Sequence, residues 1–169
     1  MDIAKVEDFT VITVIDRMDH RVVGFWRMNN ISWEYMRQKV KDIYEDYNFG
    51  TVTLDASGSG GDMFAEDLRA MNIDVDDFRY TNTTKVQLID KLAIMIERGG
   101  ITFPKIPNLI SELKSFTYHF STSGNLIYGS SRKDDCVNSL ALACWNLNDE
   151  PLGENSGAGI YMPMPKKYN

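Results

Sequence analysis

From Phe9 to Asp16 the side chains alternate, with Val11, Thr13 and Ile15 on one face and Ile12 and Val14 on the other. That period of two, in a run rich in β-branched residues, predicts a strand. Asp16–His20 is polar and turn-like, and Arg21–Met28 reads as a second strand carrying Val22, Val23, Phe25 and Trp26. Together they predict an antiparallel hairpin. The apolar period then lengthens. Ser32 reads as an N-cap, followed by a helix through Tyr47 whose inward face is Trp33, Met36, Val40, Ile43, Tyr44 and Tyr47. Thr51–Asp55 is a short strand ending in an acid, and Ala56–Gly61 a Gly/Ser loop. Asp62–Met71 is a short helix bearing Met63, Phe64, Leu68 and Met71, and Asp77–Tyr80 a weaker strand.

Thr84 is expected to cap a helix through Arg98 with Val86, Ile89, Ala93 and Ile96 inward, stopped by Gly99-Gly100. Ile101–Phe103 reads as a short strand halted by Pro104, and Leu109–Leu113 as a helical piece. Phe116–Phe120 and Leu126–Tyr128 flank Ser123-Gly124-Asn125 as a second hairpin. Asp134–Leu147 is a last helix with Val137, Leu140, Ala141 and Cys144 in line. Beyond it Gly, Pro and Asn dominate and periodicity stops. The expected organisation is therefore one domain over residues 1–147 and a flexible tail over 148–169. Strands that begin as a meander and then alternate with helices predict an α/β fold, a mixed sheet with helices on both faces.

The composition fits a globular chain: of 169 residues 43% are hydrophobic and 25% charged. No apolar run is long enough to span a membrane, and the N-terminus carries no secretory pattern. Cys136 and Cys144 are too few for a disulfide framework or a zinc site and suit buried thiols in a reducing compartment. The formal net charge of −6 argues against a generic binder of nucleic acid coated in Lys and Arg. It leaves room for an enzyme that meets a polyanion through a small basic rim and bound cations.

Three acidic positions stand out by placement. Asp55 ends a strand ahead of glycines, where open α/β sheets bind ligands. Asp134 and Asp135 open the last helix, and Asp2 stands at the start of the chain. If Asp2 belongs to a strand parallel to Thr51–Asp55, its carboxylate and that of Asp55 are neighbours. Clustered carboxylates repel unless a cation lies between them, and hard oxygen donors suit Mg2+ or Mn2+. The bland readings are a helix cap for Asp134 and Asp135, a turn former for Asp55 and a frayed terminus for Asp2. Gly58 and Gly60 lie in the loop beside Asp55, where glycines allow close approach to phosphate. Lys85, Lys105, Lys114, Arg132 and Lys133 are candidates for a basic rim, Arg132 and Lys133 above all because they adjoin the acids. His20 and His119 read as surface or sheet residues, and Trp26, Trp33 and Trp145 as core.

The ordered series of these pieces resembles the nuclease domain of the bacteriophage terminase large subunit, of the ribonuclease H-like superfamily. The series runs from Asp2-Ile-Ala-Lys-Val-Glu-Asp8 through Thr53-Leu-Asp-Ala-Ser-Gly-Ser-Gly-Gly-Asp62 and Thr81-Asn-Thr-Thr-Lys85. It continues through Leu109-Ile-Ser-Glu-Leu113 to Arg132-Lys-Asp-Asp-Cys-Val-Asn-Ser-Leu-Ala-Leu-Ala143. The resemblance implies that Asp2, Asp55 and Asp135 hold metal, with Asp134 beside them and Asp8 an auxiliary acid. It implies two Mg2+ or Mn2+ ions and cleavage of concatemeric double-stranded DNA in the host bacterial cytoplasm. It also implies an ATPase domain, the portal and the small terminase subunit as partners.

Two departures qualify it. Lys133 stands where the family often has His before the paired acids. The first strand is truncated, with only Met1 ahead of Asp2, and no nucleotide-binding G-x-x-x-x-G-K-[ST] occurs. The sequence therefore reads as a domain on its own, a split gene or a misplaced start. The leading expectation is a metal-dependent DNA endonuclease of low sequence specificity. The alternatives are a non-enzymatic DNA- or portal-binding module and another ribonuclease H-like nuclease such as a junction resolvase.

Overall fold

The structure, a computed structural model, describes residues 1, 9–120, 126–130 and 133–148. Strands β1 (Thr10–Asp16) and β2 (Arg21–Met28) form the antiparallel hairpin, pairing Val11 with Arg27 and Thr13 with Phe25, with an irregularity between Val14 and Ile15. Helix α1 (Trp33–Asp46) follows, its Ser32 hydroxyl accepting from the Tyr35 amide as an N-cap should. Strand β3 (Val52–Asp55) lies parallel to β4 (Val75–Phe78), with α2 (Ser59–Ala70) crossing between them. Then come α3 (Asn82–Glu97), α4 (Pro107–Ser115), the antiparallel pair β5 (Phe116–Phe120) and β6 (Leu126–Ser130), and α5 (Asp135–Cys144).

The alternation in β1 divides the core. Val11 packs with Leu88, Leu92 and Met95 of α3, Leu109 of α4 and Val137 and Leu140 of α5. Its neighbour Ile12 packs with Met36 and Val40 of α1, Leu54 of β3 and Phe64 and Leu68 of α2. Helices thus cover both faces, as expected, but among the described residues the strands pair as three two-stranded sheets, β1–β2, β3–β4 and β5–β6, and not as the single mixed sheet expected. Two single-residue pairings widen the strand layer. Met1 donates to the Thr53 carbonyl at 2.7 Å and accepts from the Asp55 amide at 3.4 Å, the pattern of a parallel partner to Leu54. Thr102 bridges to Arg21 in parallel, all that forms of the strand expected at Ile101–Phe103.

Other expectations are corrected. Helix α2 starts at Ser59 rather than Asp62, so Gly60 and Gly61 belong to its first turn. Strand β4 sits two residues earlier than read. Thr81, not Thr84, caps α3: the two threonines exchange side chain-to-backbone bonds at 3.1 and 2.7 Å, a reciprocal box. The buried face of α3 is Leu88, Ile89, Leu92 and Met95, while Ala93 and Ile96 face out. Apolar residues surround this helix, and docking against α5 selects the face. Trp33 is 44% exposed and lies over the Phe64 ring rather than in the core. Met63 also faces out. His20 is buried, its Nδ1 3.0 Å from the Gly100 carbonyl oxygen, and is no surface residue. The turn at 123–125 and the tail beyond residue 148 lie outside the described residues. No helix among the described residues is long and apolar enough to cross a membrane.

Candidate metal centre

Asp55 is delivered by β3, whose Leu54 is fully buried and anchors the strand from the opposite face. Its side chain is half-buried, and one oxygen accepts from the Ser57 amide at 2.7 Å, turning the chain sharply after the strand. That turn is fastened to the end of β4. Ala56 N–H donates to the Phe78 carbonyl at 2.8 Å, Tyr80 N–H donates to Ser57 Oγ at 2.7 Å, and Arg79 reaches the Ala56 carbonyl at 3.1 Å. Arg79 also pairs with Asp62 at the start of α2.

The glycines here do different work. Gly58 adopts φ of +86° and stands at the N-cap of α2, where it offers no side chain to cap the first turn. Gly61 is a packing glycine: a β-carbon on it would meet the Asp55 carbonyl oxygen at 2.5 Å. Gly60 lies near the Trp33 ring, 3.8 Å from where its β-carbon would be.

Asp134 and Asp135 arrive on α5. Ser139 fixes this helix to β1, donating to the Val11 carbonyl at 3.0 Å and sharing a bond with Thr13 Oγ1 at 2.9 Å. After the helix, Asn146 donates to Thr53 Oγ1 at 3.2 Å and to Asp76 at 2.7 Å. Thr53 and Asp55 share one face of β3 by the period of two, so Asp55 stands on the α5 side of the sheet. Asp135 is buried at 8% exposure. Asp134 holds the N-cap position yet makes no side-chain capping bond. Its carboxylate meets Lys85 Nζ at 3.4 Å instead. Lys85, expected on a DNA-binding rim, is thus at the acids themselves.

Burial, with the Glu112 carboxylate second, pushes the Cys136 thiol up. Burial likewise pushes Cys144 up, to about 12, so both are the inert free thiols expected. Lys133 lies 4.9 Å from the centre of the Phe9 ring, and the Arg27 guanidinium stacks on the same ring at 3.3 Å. Lys105 and Lys114 are exposed. Asp2, Asp8 and Arg132 fall outside the described residues, so the structure does not place them. Among the described residues no group of three or more Asp, Glu, His or Cys gathers as a cation site.

The donors that are placed still suit a hard cation, being carboxylates. One more oxygen points the same way. Asn138 Oδ1 is buried without a hydrogen-bond partner, three residues after Asp135 and four after Asp134, hence on their face of α5.

Three residues near the site escaped the sequence reading: Glu112, Arg27 and Arg79. Glu112 had a signal. It shares a helical face with Leu109 and sits beside Leu113, a buried-looking place for an acid. Its Oε2 accepts from the amides of Cys136 at 2.7 Å and Val137 at 3.2 Å, within the first turn of α5.

A strand layer covered on both faces, with acids at the end of β3 and the start of α5, defines a ribonuclease H-like domain. The chain belongs to the Terminase RNaseH-like domain family, whose profile matches residues 1–147. It is 35% identical over 146 residues to the large terminase subunit of Thermus virus P23-45, covering 84% of this chain and 30% of that protein. The chain thus spans about a third of the length of the curated relatives it matches. The crystal structure of the large terminase nuclease from thermophilic phage G20c with bound magnesium superposes with a TM-score of 0.81 at 32% identity. That match covers 87% of this chain and 79% of the other. The Thermus phage P74-26 large terminase nuclease domain gives 0.78 at 31% identity, covering 86% and 76%. The G20c nuclease has also been solved with bound cobalt and with bound zinc.

Proposed function

We propose that this chain is a divalent-metal-dependent endonuclease that hydrolyses phosphodiester bonds of double-stranded DNA during viral genome packaging. The observation that carries the reading is that Asp134 is not consumed as a cap. Asp134 and Asp135 open a helix packed on the face of the sheet to which Asp55 belongs, and the capping bonds come from elsewhere. The pairing of Met1 beside Leu54 supports the role of Asp2, the next residue in the chain.

Asp2, Asp55 and Asp135 would hold two Mg2+ or Mn2+ ions, with Asp134 orienting them and Asp8 auxiliary. The chemistry such ions supply is activation of a water and stabilisation of the departing 3′ oxygen. The protein's own contribution is to position Asp55 at a strand end and Asp135 at a helix start, with α5 tied to β1 through Ser139 and to β3 through Asn146. The cationic Lys85, Arg132 and Lys133 and the first α2 amides after Gly58, with Gly60 behind, would contact the DNA backbone. None of these reads bases, so cleavage is of low sequence specificity. The ATPase domain, the portal and the small terminase subunit are the partners this reading requires, in the host bacterial cytoplasm.

The test is Mn2+ binding by calorimetry to the 169-residue chain and to Asp55→Asn and Asp135→Asn. Binding by the parent chain that weakens at least about 10-fold in each variant supports the reading. A folded parent chain that binds no Mn2+ contradicts it.

A further inference from the structure

An Asp at an N-cap ordinarily turns its carboxylate back onto the amides of the first helical turn. In α5 those amides are already occupied. Cys136 and Val137, the second and third helical residues, both donate to Glu112 Oε2, at 2.7 and 3.2 Å. Glu112 belongs to a different helix, α4, and only 7% of it is exposed. A carboxylate this deep needs compensation, and two charge-assisted bonds at the positive end of a helix supply it.

We propose that Glu112 is a positioning residue for the metal centre. It caps α5 from outside, so the Asp134 carboxylate is not spent on the helix end and is left to the cation. The proposal rests on the metal-dependent reading above. It gives the buried acid of α4 a reason to exist. Without it, the Asp134 carboxylate stands at the N-cap, the position from which an Asp closes such amides. Turning inward to do so would take it away from Lys85 and from any bound ion. Glu112 itself is no ligand in this account, because the oxygen it uses is committed to backbone amides.

The experiment compares the full chain with Glu112→Gln and Glu112→Ala. Amide exchange at Cys136 and Val137 is followed by NMR, and Mn2+ affinity by electron paramagnetic resonance of the free ion. Gln keeps an acceptor oxygen at the same reach, whereas Ala removes it. The expected result is faster exchange at both amides and Mn2+ affinity lowered about 10-fold or more in Glu112→Ala, with Glu112→Gln restoring most of both. Glu112→Gln remains informative should Glu112→Ala fail to fold.

A merely structural role would change stability and leave the Mn2+ affinity of the folded fraction where it was, and that result overturns the proposal. Glu112→Gln binding Mn2+ as weakly as Glu112→Ala, or as weakly as Asp55→Asn, also overturns it. If the parent chain binds no Mn2+, the metal-centre reading falls and this inference with it. If the parent and both Glu112 variants bind alike, only the role of Glu112 falls.

Discussion

Gly61 runs so close to Asp55 that a β-carbon on it would stand 2.5 Å from the Asp55 carbonyl oxygen and 2.9 Å from Ala56 Cα. Both contacts are with backbone, which cannot swing aside as a side-chain tip can. Helix propensity alone favours Gly61→Ala by about 1 kcal/mol. Overpacking of a tight contact costs about 1–3 kcal/mol and should win. The variant is expected to unfold at lower urea and to bind Mn2+ more weakly, because the clash pushes on the strand end that presents Asp55. An unchanged or raised urea midpoint would show that the contact is not tight.

Ser139 ties the helix of the paired acids to β1 through Thr13 and the Val11 carbonyl, and it is fully buried. Ser139→Ala leaves the Thr13 hydroxyl without this bond and should cost about 1–3 kcal/mol. Thr13→Val should cost a similar amount. The double variant should lose clearly less than the sum, since the two share one interaction. Simple additivity in chemical denaturation would mean that the hydroxyls do not interact.

The Lys85 ammonium stands where a cation on Asp134 would be felt, at 3.4 Å, with both side chains partly exposed. Exposed pairs of this kind contribute at most about 1 kcal/mol, a factor of about 5. Lys85→Met should therefore tighten Mn2+ binding by a few-fold while weakening DNA binding at low salt. Loss of Mn2+ affinity in this variant would reverse the assignment and make Lys85 a support of the site.

Both thiols are buried and harder to ionise than usual. At pH 8.5, where a free thiol is about half ionised, the native chain should not react with a disulfide reagent, and the denatured chain should react at both cysteines. The sign of the pH dependence follows. The folded chain holds these protons more tightly, so their contribution is intact below the ordinary thiol value of about 8.5. It is lost as pH rises through the folded value, about 12 for Cys144. Rapid native labelling would contradict this.

The hairpin β1–β2 and the strand ending in Asp55 were legible because a strict period of two leaves little choice of face. The buried side of α3 was not. Val86, Ile89, Ala93 and Ile96 repeat at helical spacing as well as Leu88, Leu92 and Met95 do, and contact with α5 decides between them. The short loop after Asp55 was overextended because glycines suggest turns, whereas Gly61 is needed inside a helix for its missing side chain. Asp55, Asp134 and Asp135 stand out in the sequence by their places at element ends, and the structure puts Asp55 at the end of β3 and the other two at the start of α5. That Asp134 does not serve as a cap was invisible, because its replacement, Glu112, comes from a helix more than 20 residues away.

If these carboxylates make a metal-dependent nuclease, the chain cuts DNA only when a divalent cation is present. Plasmid cleavage tests it most directly, with the purified chain in Mg2+, in Mn2+ and in chelator, beside Asp55→Asn. The account predicts nicking and linearisation with metal, abolished by chelator and by the substitution. A folded chain that leaves the plasmid intact in both metals would contradict it and return the domain to a DNA- or portal-binding role without catalysis.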